Sequence, residues 1–351
     1  MIKNIKLNNF RIFESNIFTT NNKLVIFSGK NATGKTSILE AIYLCSTSKS
    51  HRTNELDNLI LENKEFGSCE IESEKNIKMI FSKEGKTLFI NKKQIKKISD
   101  FIGNLKIVMF SPYDLNIILG SKGDRRRFLD LEVSLLDKVY LNASTAYKKT
   151  LKERNELLKN DNLDKIYLNI VTDNLINNLK VIYEKRNKFI NDLNSILNVI
   201  TTRLGVEKIR LEYVKTYDED IHKTFKNKEK IDFITKTTNV GVHRDDFKIL
   251  INEKMANEFA SEGQIRTICI CLKLAVKEYV KRVTGDEPIL LLDDVFAALD
   301  KTRIRSLTDY VNESKQTFIT TTSILEIPDE LLKNALVLRI DNKKENWEYG
   351  K

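Results

Sequence analysis

The sequence predicts an α/β fold built on a phosphate-binding loop and interrupted by an inserted, mainly helical second lobe. Three observations carry the prediction. Strand-like and helix-like runs alternate from residue 1 to about 110 and again from about 238 onward, as when one sheet is shared by both ends of a chain. From about 120 to 235, apolar residues recur at helical spacing instead. Among the first strands, GKNATGKT (Gly29–Thr36) matches Gly-x4-Gly-Lys-Thr in full.

The elements follow in order. MIKNIKLNNFRIF alternates around Ile5 and Leu7 as a strand does, and no uninterrupted apolar stretch follows its first lysine, so it is not read as a signal peptide. LVIFSG (24–29) is a buried strand ending in a glycine turn, and SILEAIYLC beyond the loop is helix-like. IKMIFS (77–82) and TLFINKKQI (87–95) form a hairpin, with Gly85 at the bend between Lys83 and Lys86. LKIVMFSP (105–112) is a further buried strand, ended by Pro112. The insert opens with a long run free of glycine and proline that starts DRRRFLD, with Asp124 as its expected N-cap. A second long helix begins at NLINNLK; it shows no sustained heptad, so no long coiled coil is expected. After about 238 come FKILIN, the helix following ASEGQ, the strand PILLLDD, a helix near 301–313, the strand QTFITTT and LVLRI. These textures assign 1–118 plus 238–351 to a head (lobe I) and 119–237 to the helical insert (lobe II).

Bulk composition narrows the function classes. The 351 residues suit one large or two medium domains, and 41% hydrophobic with 31% charged residues is a folded composition. With 59 Lys and Arg against 49 Asp and Glu, the net charge of +10 favours a polyanionic partner, nucleic acid before membrane. Cys45, Cys69, Cys269 and Cys271 form no Cys-x-x-Cys pair, and with three histidines in the chain a structural zinc site is not expected. Free thiols suit a reducing cytoplasm. The longest apolar runs, such as ILLL at 289–292, are too short to cross a bilayer.

Three motifs carry chemistry. In the phosphate loop, Gly29 and Gly34 permit the tight turn by which backbone N–H groups of Lys30, Asn31, Ala32 and Thr33 face phosphate oxygens. Lys35 sets its charge against the outer phosphates and Thr36 offers a hydroxyl to Mg²⁺, with the helix dipole behind both. In PILLLDD, four apolar residues deliver two carboxylates to the carboxyl end of a parallel strand, where such sheets bind ligands. Asp293 is the natural second ligand for Mg²⁺, and Asp294 is placed to orient or deprotonate an attacking water. The third motif, FASEGQIRT, has capping-box spacing: Ser261 at the N-cap, Gln264 three residues on. Ile265, Ile268, Leu272, Ala275, Val276 and Tyr279 then form an apolar stripe, so the local pattern alone is a well-capped core helix. Gly263 leaves the backbone bare at its start and Arg266 adds positive charge.

Other residues divide between two roles. Arg125, Arg126 and Arg127 are a solvated basic turn or a DNA or interdomain contact, and Lys49 and Arg52 are candidates for nucleotide or DNA backbone. His243, beside Arg244 and Asp245, is expected to be a structural hydrogen-bonding group. Arg266, Lys273 and Lys277 lie away from the apolar stripe and are open to a DNA role. No recognition helix or zinc finger is present, so backbone and junction-shape binding is favoured over base reading.

The order phosphate loop, Ser-x-Gly-Gln, Mg²⁺ strand resembles an ABC-type ATPase head, a P-loop NTPase. In such heads the signature of one subunit caps the γ-phosphate of ATP held by the other. The likeness sharpens with FRIF, KSHRT (49–53), FSPYDLNIILG (110–120), RRRFLD (125–130), HRDD (243–246), ASEGQIRT and LLLDDVFAALD, which stand in the order that characterises the RecF family. This resemblance implies ATP and Mg²⁺ as cofactors, weak ATP hydrolysis with Lys35 and Asp294 as catalytic residues, and an ATP-dependent homodimer in the cytoplasm. Ser261, Gly263 and Gln264 would complete the partner's site. It further implies binding of single-strand and gapped duplex DNA without sequence specificity, recombinase loading in repair and fork maintenance, and RecR- and RecO-like mediator partners.

Several residues depart from pattern. Ala32 and Thr33 stand where many ABC heads carry a glycine and a small residue. Glu262 replaces a signature glycine, and Val242 precedes HRDD where the family usually has proline. Asp294 is shorter than the glutamate of transporters, which implies slow hydrolysis. Thr321 or Thr322 occupies the place of the transporters' switch histidine. The alternatives are another ABC-type head, SMC-like or transporter-type. Against the motor stands a signature some 230 residues after the loop, about twice the transporter spacing; against an SMC arm stands a short insert without heptads.

Overall fold

The computed structural model describes residues 1–160, 162, 164–296 and 301–341, without the side chains of 301, 302 and 306. The last four residues of LLLDDVFAALD, 297–300, thus lie outside the described residues. The chain forms two compact units, 1–114 with 280–351 and 115–279.

The first unit begins with the antiparallel hairpin β1 (Asn4–Phe10) and β2 (Phe13–Thr19). The apolar run of β3 (Leu24–Ser28) is buried along its whole length, and the loop after it leads into α1 (Lys35–Thr47). β4 (Phe66–Glu72), β5 (Asn76–Ser82), β6 (Gly85–Ile90) and β7 (Lys93–Ile95) form a meander, and β8 (Ile107–Phe110) follows. The expected second strand, TLFINKKQI, is two strands. Asn91 and Lys92, both with positive φ, reverse the chain inside it, so Ile90 pairs with Lys93. Gly85 is paired opposite Ser82 rather than at the bend, which is Lys83–Glu84.

The second unit opens with α2 (Lys122–Leu136), α3 (Lys138–Lys159) and the 40-residue α4 (Lys165–Leu204). Ser121, not Asp124, is the N-cap of α2: Ser121 Oγ accepts from Asp124 N–H, and the Asp124 carboxylate accepts from Ser121 N–H at 2.8 Å. Asp124 is therefore the N3 half of a capping box. β9 (Ile209–Val214) and α5 (Ile221–Thr235) follow, then β10 (Asp246–Ile251), β11 (Lys254–Met255) and α6 (Glu262–Thr284). β9 adds a strand, not expected from the sequence, to the mainly helical insert. It pairs with β10 along its full length, which gathers 238–279 with the helices; the two units divide at 114/115 and 279/280, not at 118/119 and 237/238. In the first unit again, the chain adds β12 (Ile289–Asp293), α7 (Lys301–Glu313), β13 (Thr317–Thr321) and β14 (Ala335–Arg339).

The described residues form three sheets. The six-stranded sheet of the first unit runs β2-β1-β4-β5-β6-β7, antiparallel throughout. The five-stranded sheet, β14-β3-β13-β12-β8, is parallel. Its inner strands are buried end to end, as a parallel sheet requires of near-continuous apolar runs. The third sheet, β11-β10-β9, belongs to the second unit. Register sets the ligand edge: Asp293 lies opposite Thr320, and Thr321 opposite Ser28, so the ends of β3, β13 and β12 come together.

Candidate nucleotide site

Gly34 is the N-cap of α1 and sits at φ 95°. A Cβ there would lie 2.7 Å from Phe13 Cζ, so both backbone and space demand glycine. Gly29 is fixed by space alone: its Cβ would approach Ile340 O to 2.3 Å. Ala32 also takes a left-handed φ of 64°. Lys35, 5% exposed, folds back over the loop, its Nζ donating to Gly29 O and Lys30 O at 2.8 Å each. Thr33 Oγ1 donates to Lys30 O at 2.9 Å. The loop is thus built around an ammonium group before any phosphate is considered.

Asp293 ties the loop to the neighbouring strands. Its Oδ1 accepts from Thr36 Oγ1 at 2.8 Å and from Thr320 Oγ1 at 2.7 Å. Burial pushes its carboxyl above the usual range, against the pull of those two hydroxyls. Thr320 Oγ1 in turn accepts from Asp294 N–H at 3.0 Å. Thr320 is a site residue the sequence reading missed; within the repeated threonines of QTFITTT only the parallel register distinguishes it. Asp294 has φ 51°, and its Oδ1 is buried with no hydrogen-bond partner among the described residues. Burial, then the Asp293 charge, raises its carboxyl. Thr321 is buried, with Oγ1 at 2.8 Å from both Ser323 O and Glu326 Oε2, whereas Thr322 is exposed.

A second missed residue is Glu40 on α1, fully buried. It accepts from Arg11 Nε at 2.8 Å and Arg11 NH2 at 2.6 Å, from Ser50 Oγ, and from Arg52 NH1 at 3.3 Å. Burial alone would raise its carboxyl, but Arg11, Ser50 and Arg52 together hold it below the ordinary value. This carboxylate gathers FRIF and KSHRT onto the phosphate-loop helix. Its signal in the sequence was a lone Glu inside an apolar helix.

The signature lies in the second unit. Ser261 and Gln264 form the expected reciprocal box: Ser261 N–H donates to Gln264 Oε1 at 2.8 Å, and Gln264 N–H to Ser261 Oγ at 3.3 Å. Gln264 Nε2 also donates to Glu207 Oε1 at 2.6 Å. Glu262 is exposed and its carboxylate accepts from Arg266 at 2.6 Å, which offsets the charge that departs from the family pattern. Lys273 and Lys277 are not surface groups. Lys273 faces Glu132 at 3.3 Å, Lys277 lies 3.2 Å from Glu278, and both are buried because α6 is covered on all sides in its middle turns.

RRRFLD and HRDD meet within this unit. Arg125 bonds both oxygens of Asp246, at 2.7 and 3.0 Å, and Arg126 donates to Asp245 O at 3.0 Å. Neither is a solvated turn. His243 is structural, as expected: Nδ1 lies 2.7 Å from Tyr147 Oη and Nε2 2.9 Å from Thr238 O, and burial lowers its pKa to about 4.

A phosphate loop at the carboxyl edge of a parallel sheet, its threonine bonded to an aspartate of another strand, defines a P-loop NTPase head. The order of this site and the Ser-x-Gly-Gln helix makes it the ABC- and SMC-like class. Comparison with known proteins sharpens the class. The family model described as RecF/RecN/SMC N terminal domain matches residues 1–337. The chain is 42% identical over 325 residues to the DNA replication and repair protein RecF of Acholeplasma laidlawii, covering 92% of this chain and 93% of that one. It is 39% identical to the protein of the same name from Clostridium botulinum, covering 97% and 98%. A solved structure of the recombination mediator protein RecF, described as RecF-ATP in the RecFOR pathway, superposes with a TM-score of 0.88 at 30% identity over 97% of this chain and 95% of that one. The chain belongs to the RecF family.

Proposed function

We propose that the chain is an ATP-gated DNA-binding protein of recombinational repair and replication-fork maintenance, with weak ATPase activity. The observation that carries the reading is the shared Asp293 oxygen, bonded at once to Thr36 of the loop and Thr320 of β13. Gly29, Lys30, Asn31, Ala32, Thr33 and Gly34 wrap the phosphates with backbone N–H groups, and Lys35 leaves its two loop carbonyls for phosphate oxygens. Thr36 and Asp293 fit Mg²⁺: they are hard oxygen donors 2.8 Å apart, and burial of the carboxylate favours a cation. When bound, Mg²⁺ neutralises charge on the phosphate oxygens. Asp294, with a buried oxygen that has no partner among the described residues, orients the attacking water.

Ser261, Gly263 and Gln264 sit on the separate compact unit, which supports their offering a capped helix start to nucleotide held by a second copy. In this reading two copies close over two ATP molecules, clamp single-strand or gapped duplex DNA, and release it after hydrolysis. RecR- and RecO-like mediators and recombinase loading complete the pathway, in the cytoplasm. Among the described residues no helix is long and apolar enough to cross a membrane. DNA binding by two variants tests the proposal. Lys35→Met should abolish ATP-dependent DNA binding, and Asp294→Asn should preserve or tighten it. Loss of DNA binding in Asp294→Asn, with nucleotide still bound, would contradict the separation of gating from hydrolysis.

A further inference from the structure

β7 is the edge strand of the six-stranded sheet, and the hairpin that carries it is strongly basic. Lys92, Lys93, Lys96 and Lys97 are all exposed, and no Asp or Glu occurs between Glu84 and Asp100. Lysine on an edge strand also blocks unwanted strand pairing. That role needs charge but not an unfavourable backbone, and the turn has one. Asn91 and Lys92 join β6 to β7 at φ 50° and 65°. A two-residue turn of this hand favours Asn followed by Gly, and a side chain with a Cβ is disfavoured at the second position.

The chain contains a matching turn, Asn252–Glu253, at φ 47° and 64° between β10 and β11. There the strained residue has a partner: Glu253 Oε2 accepts from Arg210 at 2.8 Å. The side chains of Lys92, Lys93, Lys96 and Lys97 make no ion pair or hydrogen bond among the described residues. The turn that presents them is held firmly. Asn91 N–H donates to Asn76 O at 2.7 Å, and Asn91 Oδ1 accepts from Asn76 N–H at 2.9 Å.

We propose that the β6–β7 hairpin is a landing surface for duplex DNA, its four lysines set against backbone phosphates. The inference rests on the DNA-binding reading above and gives it a surface. Lysine is a compact point charge suited to phosphate rather than to bidentate reading of base edges. Residues 91–97 include no aromatic side chain on which unpaired bases would stack, which favours duplex over single strand.

The test uses the full chain with ATP and Mg²⁺, a labelled mixed-sequence duplex, and anisotropy titrations over a range of salt. With Lys92, Lys93, Lys96 and Lys97 all changed to Ala, affinity should fall at least about tenfold, and the slope of log K against log salt should shrink by about 0.9 for each phosphate that is no longer neutralised. Binding of a fluorescent ATP analogue should not change. The matching four-Arg variant should bind DNA as the wild type does. Lys92→Gly, the residue favoured by the turn, should weaken DNA binding without lowering the melting temperature.

If the wild type binds duplex and the four-Ala variant keeps its affinity and slope, the hairpin assignment fails and the DNA-binding reading stands. If the wild type binds no duplex in the presence of ATP, both fail. A loss that Arg does not restore, or a parallel loss of ATP-analogue binding, reduces the lysines to a structural role and also overturns the proposal. So does competition by polyglutamate as effective as by DNA, which would assign the surface to an acidic protein.

Discussion

Glu40→Gln is the sharpest test of how the site is supported. The wild-type carboxylate is fully buried and takes two bonds from Arg11 and one from Arg52, whose side chains are 17% and 31% exposed. Removing one member of a buried ion pair costs about 3–5 kcal/mol when the other is left without compensation. Glutamine keeps one acceptor oxygen, and both arginines reach some water, so we expect a smaller cost, about 2–3 kcal/mol. For a unit of this size, that lowers the melting temperature by about 4–12 °C.

The sign of the pH dependence follows from the lowered carboxyl. A group with a depressed folded pKa contributes stability that is fully present above its unfolded value, near 4.5, and is lost as pH falls through the lower folded value. Calorimetry of wild type and Glu40→Gln should therefore give the same gap at pH 7 as at pH 5, with narrowing only in more acid solution. A gap that closes between those two pH values, or none at all, would refute the reasoning that Glu40 is a charged anchor.

Three further outcomes follow from the geometry. Thr320→Val removes the hydroxyl between Asp293 and Asp294 N–H, leaving a part-buried donor unpaired; thermal unfolding should show a loss of about 1–3 kcal/mol, and titration with an ATP analogue a weaker response to Mg²⁺. Asp130 is held by Arg186 at 2.7 Å and Tyr140 at 2.5 Å; burial raises its carboxyl, but Arg186, Lys148 and Tyr140 outweigh it and bring it from 3.8 down to about 2. Asp130→Asn should thus lose about 2 kcal/mol at neutral pH in urea unfolding, a difference present above pH 3.8 and vanishing as pH falls through about 2. Gly34→Ala must place a Cβ at φ 95° and 2.7 Å from Phe13, so binding of the ATP analogue should be lost even where the protein still folds.

What was legible in the sequence was what depends on local pattern. The buried run of β3 before a glycine loop, the apolar run of β12 before two aspartates, and the Ser261–Gln264 spacing each state their structure within ten residues. Residues that act through long-range register were silent. Thr320 matters because β13 lies beside β12 in one register, and Glu40 because Arg11 and Arg52 converge on it from two segments. The misplaced bend in the β5–β7 meander has a similar cause: glycine is the usual turn signal, whereas Asn91 and Lys92 adopt the left-handed turn without one. β9 carried a signal that was passed over: Ile209, Leu211 and Tyr213 alternate with Arg210 and Glu212 as a half-buried strand does, but the run is only six residues long and stands between long helical stretches, and its partner β10 lies more than thirty residues on. The buried lysines of α6 read as surface groups because the helix pattern alone does not show that a second side is covered.

The central claim is that nucleotide binding and pairing of two copies are one equilibrium. Light scattering on the purified protein tests it, with and without ATP and Mg²⁺, alongside Ser261→Arg. The account predicts a monomer that becomes a dimer on adding ATP and Mg²⁺, and a Ser261→Arg variant that binds an ATP analogue yet stays monomeric. A wild type that remains monomeric with bound ATP, or a Ser261→Arg variant that pairs as the wild type does, would contradict it.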